Sequence, residues 1–357
     1  MSERIRWGIL ATGRIAATFV EDLKLLPDAE VVAVGSRTQA AADAFAARYD
    51  IPRAYGDWES LAADDDVDVV YVATPHSAHH AATSLCLRHG RAVLCEKPFT
   101  LNAATSRELI DTARAAGVFL MEAMWTRCNP TIRRMVELIA DGAIGEVTTV
   151  RADFGISGDF GPEHRLQDPA LGGGALLDLG IYPITIAHLA LGRPDSCQAW
   201  ASLTPAGVDE NTGLVFGYAS GALAVLSCGF IGGTGITATI TGRRGRIELA
   251  PIFFRPPELI LHRDGAEPEV FRTPLPGHGY TPQAEEVHRC LRAGLTESPL
   301  VSHAITLEMM SIMDGIRAQI GVTYPGEQPA PVPAGHQPGL PRPAAPRPRP
   351  DAETAAP

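Results

Sequence analysis

Paired cysteines are missing from this chain. Its six cysteines, Cys86, Cys95, Cys128, Cys197, Cys228 and Cys290, are scattered, with no C-x-x-C pair. A disulfide framework or a structural zinc site is therefore not expected, and the pattern predicts free thiols in a reducing cytoplasm. Positive charge is also scarce: 30 Lys and Arg face 41 Asp and Glu, for a formal net charge of −11. No basic stripe interleaved with aromatics occurs, so neither nucleic acid nor an anionic membrane is the expected partner. No apolar run reaches membrane-spanning length, and the start, MSERIRWGIL, lacks the apolar segment of a signal peptide.

What is present suits a globular protein of two domains. The 357 residues are 45% hydrophobic and 20% charged, enough for two separate cores. Strand and helix signals alternate over the first ~120 residues, as βαβ units forming a parallel sheet do. Strands are expected at Ile5–Leu10, Glu30–Gly35, Val67–Ala73, Arg91–Cys95 and Val118–Glu122, with helices at Ile15–Leu26, Gln39–Tyr49, Ala78–His89 and Ala103–Ala116. After a helix at Thr131–Asp141, strand-like runs dominate: Val147–Phe154, Thr212–Tyr218, Ala222–Phe230, Gly235–Thr241, Gly245–Leu249 and Leu259–Arg263. Turn signals such as Ala219-Ser220-Gly221 and Asp264-Gly265 predict that most of these pair antiparallel. Helices at Thr281–Ala293 and Ser302–Ile320 close the fold. The expected organisation is a doubly wound Rossmann domain at 1–124, then an α+β domain at 125–324 with a large, mostly antiparallel open sheet. The last 33 residues, 325–357, hold eleven prolines and are expected to form a disordered tail.

Four strand ends carry chemistry. Between the first strand and first helix, Ala11-Thr12-Gly13-Arg14-Ile15-Ala16 aligns with the G-x-G-x-x-G/A turn that cradles a dinucleotide pyrophosphate. Gly13 is where backbone must approach the ligand, and the helix N-terminus offers free N–H groups to phosphate. Ala11 replaces the first glycine, which predicts near-normal backbone angles there. The second strand ends Gly35-Ser36-Arg37-Thr38, with no carboxylate for a ribose 2′-hydroxyl. Ser36 and Arg37 suit a 2′-phosphate, so NADP is expected rather than NAD. The third long strand ends Ala73-Thr74-Pro75-His76-Ser77-Ala78-His79-His80, on the side of a parallel sheet where ligands gather. No Asp or Cys neighbours these histidines with metal-ligand spacing, so no metal is expected. The fourth strand runs into Cys95-Glu96-Lys97-Pro98, a poor strand sequence at the same edge.

These stretches, with Gly172-Gly173-Gly174-Ala175-Leu176-Leu177-Asp178-Leu179-Gly180-Ile181-Tyr182, resemble the Gfo/Idh/MocA family of oxidoreductases. Met121–Arg127 and Gly279-Tyr280 look like its dimeric dihydrodiol dehydrogenase and NADP-dependent xylose dehydrogenase branch. The likeness runs from about residue 5 to 325. It implies that Lys97 is the catalytic lysine, with Asp178 and Tyr182 completing the active site. Thr74, Pro75, His76 and His79 would flank the cofactor, Glu96 would sit beside its nicotinamide half, and Arg127 and Arg165 would lie toward cofactor or substrate.

The chemistry makes sense independently. Oxidising an alcohol requires a base, and Asp178 and Tyr182 would share one helix face. A phenol near pKa ~10 needs stabilisation of its anion to serve at neutral pH, which the Lys97 ammonium would provide. Lys97 is the alternative base, if burial lowers its pKa. Pro183 should remove the bond to the Leu179 carbonyl and kink this helix. Trp125, His164 and Tyr280, together with Asp178 and Tyr182, are the expected substrate contacts, and a neutral polyhydroxy compound is the expected substrate. A homodimer through the second sheet is expected, since an antiparallel sheet can leave a face uncovered. Two rivals stand beside this reading, a nucleotide-dependent glycosidase and a non-catalytic nucleotide sensor; the joint presence of Lys97, Asp178 and Tyr182 speaks against the sensor.

Overall fold

The computed structural model describes residues 4–327 and the pair 340–341. Six strands form a parallel sheet: β1 (Ile5–Leu10), β2 (Ala29–Gly35), β3 (Arg53–Tyr55), β4 (Val69–Val72), β5 (Ala92–Cys95) and β6 (Leu120–Glu122). Their order is β3-β2-β1-β4-β5-β6, a doubly wound arrangement that reverses between β1 and β4. The helices between them are α1 (Arg14–Leu23), α2 (Gln39–Tyr49), α3 (Trp58–Ala62), α4 (His79–Arg88) and α5 (Ala103–Ala116). β4 and β5 are buried along their whole length, as strands covered on both faces must be. Thr38, Asp57 and Asn102 start α2, α3 and α5 by accepting a backbone N–H.

Helix α6 (Pro130–Ala140) leads into a second sheet. Its strands are β7 (Val147–Gly155), β8 (Ser196–Leu203), β9 (Asp209–Gly217), β10 (Leu223–Gly229), β11 (Ala238–Gly242), β12 (Gly245–Leu249), β13 (Glu258–Arg263), β14 (Glu269–Arg272) and the two-residue β15 (Leu340–Pro341). The order is β14-β13-β12-β11-β7-β10-β9-β8-β15, antiparallel except for β7 with β10 and β15 with β8. Helix α7 (Ile181–Leu191) lies between β7 and β8 in the chain. Helices α8 (Thr281–Arg292) and α9 (His303–Ile320) follow the sheet, and Leu120 and Glu122 of β6 meet His303 and Thr306 of α9, tying the two halves together. Of the proline-rich tail expected at 325–357, only residues 325–327 and β15 are among the described residues, so the expectation of disorder falls on residues outside them.

Several elements differ from the sequence expectation for local reasons. β3, α3, β8 and β14 were not foreseen: β3 has only three residues, α3 only five, and β8 and β14 alternate polar with apolar residues at solvent-facing edges. The stretch Pro169–Leu191 is, contrary to expectation, long and apolar enough to span a membrane. It is instead the core of the second domain, with Ala175–Ala187 buried. Ala11 also departs from expectation. It sits at φ 89°, in the left-handed region that the absent glycine would have occupied without strain.

An L-residue held left-handed costs roughly 1–2 kcal/mol, partly offset because glycine loses more chain entropy on folding. Ala11→Gly is therefore expected to raise the unfolding free energy by about 0.5–1 kcal/mol. Urea denaturation reads this directly; an unchanged or lower midpoint would contradict a strained Ala11.

Candidate active site

The nucleotide end is built from the tips of β1, β2 and β4. Gly13 is the N-cap of α1 with ordinary extended angles, φ −75° and ψ 177°, and a Cβ placed on it would meet nothing within 4 Å. The fold itself therefore has no need of glycine there, whereas a group lying against that backbone would. No side chain caps α1 and no acidic residue sits in its first turn, so its N–H groups and positive dipole stay open to an anion. Thr12 Oγ1 and Ser36 Oγ are 3.4 Å apart, joining the first two strand tips. Arg14 and Arg37 are exposed and have no carboxylate partner among the described residues. At the tip of β4, Thr74 Oγ1 is buried without a hydrogen-bond partner, and Pro75 after it is exposed. An open helix end, a glycine with space over it and an orphaned hydroxyl together fit a dinucleotide phosphate and ribose. Ile15, half-buried in the first turn of α1, borders this surface.

At the tip of β5 the chain turns through a cis Lys97–Pro98 bond. Lys97 Nζ donates to Asp178 Oδ1 at 3.0 Å and to the Asp178 backbone carbonyl at 2.8 Å. The availability of that carbonyl follows from the helix before it. Leu176–Gly180 form a π-turn, in which the Ile181 N–H reaches back five residues to Leu176. In the same register the donor to Asp178's carbonyl would be the nitrogen of Pro183, which has no hydrogen. The sequence expectation placed the freed carbonyl at Leu179; the wider turn moves it to Asp178, where the lysine takes it. The turn itself is fixed by Asp209, whose Oδ2 accepts from Leu176 N and Thr212 Oγ1, both at 2.7 Å. Gly174, at φ 109°, lets the chain pass Asp209, where a Cβ would meet Oδ1 at 2.4 Å.

Asp178 has further partners. Arg165 donates to its Oδ2 at 2.8 Å, and His76 Nε2 lies 3.6 Å from Oδ1 while Nδ1 meets the Gly172 carbonyl at 3.0 Å. Burial alone would raise the Asp178 pKa, but Lys97, His76 and Arg165 together hold it well below the usual carboxylate range. Burial would likewise lower Lys97, yet the Asp178 carboxylate, then Tyr182 and Glu96, keep it raised. These partners favour the ammonium form of Lys97. Glu96 accepts from Lys97 N at 3.1 Å and pairs with the Tyr71 hydroxyl, and burial raises its pKa.

Tyr182 lies beneath the lysine, whose Nζ is 4.9 Å above its ring. Its hydroxyl oxygen accepts the Trp125 indole N–H at 3.0 Å. Burial raises the phenol's pKa despite Lys97 and Trp125, which both lower it. Phe154 and Phe254 enclose the ring at 5.6 and 4.7 Å between centroids. Neither was identified from sequence, although the doublet Phe253-Phe254 in a proline-rich loop is a visible signal.

Three expected contacts do other tasks. His79 is buried between two strand-tip carbonyls, Nδ1 2.8 Å from that of Pro98 and Nε2 2.9 Å from that of Thr74, and as a neutral ring it donates to one of them. Burial pushes it down to about 4, leaving a neutral ring. Arg127 is buried, donates to His188 Nδ1 at 3.0 Å and faces the Glu122 carboxylate in the interior. Trp125 is buried by stacking on Tyr280, 4.2 Å between centroids, so that face is closed to substrate. His164 accepts from Leu166 N and tilts against Phe160, beside Arg165 in the same loop.

Because the folded-state pKa of Asp178 is depressed, its stabilisation is present above its unfolded value and is lost as pH falls below about 4. Asp178→Asn leaves the Lys97 ammonium half-buried without its counter-charge, for an expected loss of about 3 kcal/mol at neutral pH. Its stability should also decline less than the wild type's below pH ~4. Urea titrations from neutral to acid pH test this, and parallel acid profiles would contradict it.

The chain matches two family patterns, the NAD-binding Rossmann domain of the GFO/IDH/MocA oxidoreductases at residues 5–124 and the GFO/IDH/MocA C-terminal domain at 132–248. It is 37% identical over 336 residues to the trans-1,2-dihydrobenzene-1,2-diol dehydrogenase of Bos taurus, covering 91% of this chain and 99% of that one. The Xenopus tropicalis protein of that name is 39% identical over 329 residues, covering 90% and 99%. Among solved structures, the 3-ketoreductase KijD10 of Actinomadura kijaniata, in complex with NADP and TDP-benzene, superposes with a TM-score of 0.78 at 28% identity, covering 88% and 97%. An aldose-aldose oxidoreductase from Caulobacter crescentus, complexed with glycerol, gives a TM-score of 0.79 at 26% identity, covering 88% and 96%. The chain belongs to the GFO/IDH/MocA oxidoreductase family and is an NAD(P)-dependent dehydrogenase acting on CH–OH groups.

Proposed function

We propose that the protein is an NADP-dependent enzyme that interconverts a hydroxyl-bearing carbon and its carbonyl on a neutral polyhydroxy compound, either an aldose at C1 or a cyclic trans-diol. One observation carries this reading: a lysine ammonium pinned by Asp178 lies 4.9 Å over the ring of a buried tyrosine, on the strand edge that also presents the open α1 terminus. Thr12, Gly13, Arg14 and Ile15 would hold the pyrophosphate, Ser36 and Arg37 a 2′-phosphate, and Thr74, Pro75, His76 and Glu96 the nicotinamide ribose. When bound, the dinucleotide accepts or supplies the hydride, and in its oxidised form adds a positive charge.

The chain's own residues manage the proton. As the phenolate, Tyr182 Oη takes the substrate hydroxyl proton during oxidation and becomes the phenol; as the phenol it gives that proton to the carbonyl oxygen during reduction. Its raised pKa keeps it protonated at neutral pH, the form that reduction requires. Lys97 stays charged and steadies the oxygen on which negative charge develops. Asp178 holds Lys97 by two oxygens, and Arg165 donates to its other carboxylate oxygen. Phe154, Phe254 and Tyr280 supply aromatic surface for the apolar faces of a sugar or diol. The dihydrodiol dehydrogenases at 37–39% identity support the diol class, and the aldose-aldose oxidoreductase of like fold supports the aldose class. Six free thiols support a reducing, cytoplasmic setting.

We also propose a homodimer through the uncovered face of the second sheet. Trp200, Val215, Leu223 and Val225 are 55%, 43%, 47% and 46% exposed on adjacent strands β8, β9 and β10. Val215 pairs directly with Val225, so the patch is continuous across strands.

Turnover of NADP with sugars and trans-dihydrodiols should be abolished in Lys97→Met while NADPH binding persists; retained turnover would remove Lys97 from the reaction. In the same assays Arg37→Ala should raise KM for NADP by about tenfold and barely alter that for NAD, as the loss of a charge-assisted bond predicts. Equal effects on both nucleotides would contradict the 2′-phosphate assignment. Sedimentation of Val225→Asp should report a monomer where the wild type is a dimer, and a wild-type monomer would contradict the interface.

A further inference from the structure

The indole of Trp125 has a task that its burial and neighbours define. Its N–H points at Tyr182 Oη from 3.0 Å, and indole nitrogen is a donor only. That contact therefore occupies a lone pair of the phenol oxygen and directs the phenol's own hydrogen elsewhere. Lys97 does not bond this oxygen: its ammonium lies over the ring and is committed to Asp178. Among the described residues, Trp125 Nε1 is thus the hydrogen-bond donor that Tyr182 Oη has.

The indole is itself held rigidly. Tyr280 stacks on it with rings 4.2 Å apart and 14° from parallel, and Phe254 packs at 5.8 Å. Tyr280 N donates to Asp22 Oδ2 and His278 N to Asp22 Oδ1, both at 2.7 Å, and Asp22 is a buried residue of α1. A line of contacts runs from the helix that opens toward the nucleotide, through Asp22, Tyr280 and Trp125, to the phenol.

We propose that Trp125 is a positioning residue for the proton transfer, a fixed donor that stabilises the Tyr182 phenolate and aims the neutral phenol's O–H at the reacting oxygen. This inference rests on Tyr182 being the acid–base group. A hydrogen bond to a charged acceptor is worth about 1.5–3 kcal/mol, or about one to two pH units in the acceptor's pKa. The aromatic shell around Tyr182 excludes water that would otherwise replace the lost donor. Its substitution should therefore appear as a displaced titration, beyond any loss of packing.

The experiment compares pH profiles of kcat for alcohol oxidation in the wild type, Trp125→Phe and Tyr280→Leu, alongside near-ultraviolet titration of the Tyr182 phenolate as a difference against Tyr182→Phe. Trp125→Phe should move the alkaline-rising limb and the phenolate titration upward by about one unit. It should lower kcat at neutral pH about tenfold with recovery at high pH, and leave KM for NADP within about twofold. Tyr280→Leu, which frees the indole without removing it, should shift both in the same direction by less. An unmoved phenolate titration in Trp125→Phe overturns the inference. Should Trp125→Phe fail to fold, an unmoved titration in Tyr280→Leu overturns it equally. Retained turnover in Tyr182→Phe would overturn the acid–base reading instead, and the phenolate titration separates the two failures.

Discussion

The bond from the Lys97 ammonium to two oxygens of one residue organises this protein. Asp178 offers its carboxylate and its backbone carbonyl to the same nitrogen, and the second is free because a π-turn meets a proline. Each partner sits on a different sheet system: Lys97 at the tip of β5, Asp178 in the helix that forms the core of the second domain. The ion pair is therefore also a strut between the domains. Being mostly buried, it is valuable less for net stability than for fixing a charge at a known place.

Around that strut the surroundings separate protonation states. Asp178 is held ionised, Lys97 is held charged, and burial keeps Tyr182 neutral at rest. Groups with pKa values driven apart in this manner divide the labour of acid–base chemistry. In the proposed mechanism the tyrosine exchanges the proton and the lysine holds its charge.

Much of this was legible in the sequence. β-branched runs ending in chemically odd residues located the strand tips that carry Lys97, Thr74, His76 and Ser36, and the family resemblance supplied their expected roles. The family motif pointed to Asp178 and Tyr182, which the fold brings beside Lys97. What escaped depended on backbone detail or on partners distant in sequence. Alanine at position 11 suggested a relaxed turn, yet the tight β1–α1 turn holds it left-handed. A proline in a helix predicts a lost bond, but which carbonyl is freed depends on the turn's width. His79 and Arg127 carry the residue types of a ligand site and are buried in bracing roles. Nothing near Asp209, some thirty residues from the turn it holds, marks its partner in sequence.

The central claim is that this arrangement moves a hydride between a carbinol carbon and a bound nicotinamide. It is tested most directly with an aldose or trans-diol deuterated at the reacting carbon, following the mass of the nucleotide and the rate together. The account predicts one deuterium in the reduced nucleotide for each substrate oxidised, with a primary isotope effect on the hydride step. Substrate consumption without deuterium in the nucleotide pool would contradict it and point to chemistry in which the nucleotide returns unchanged.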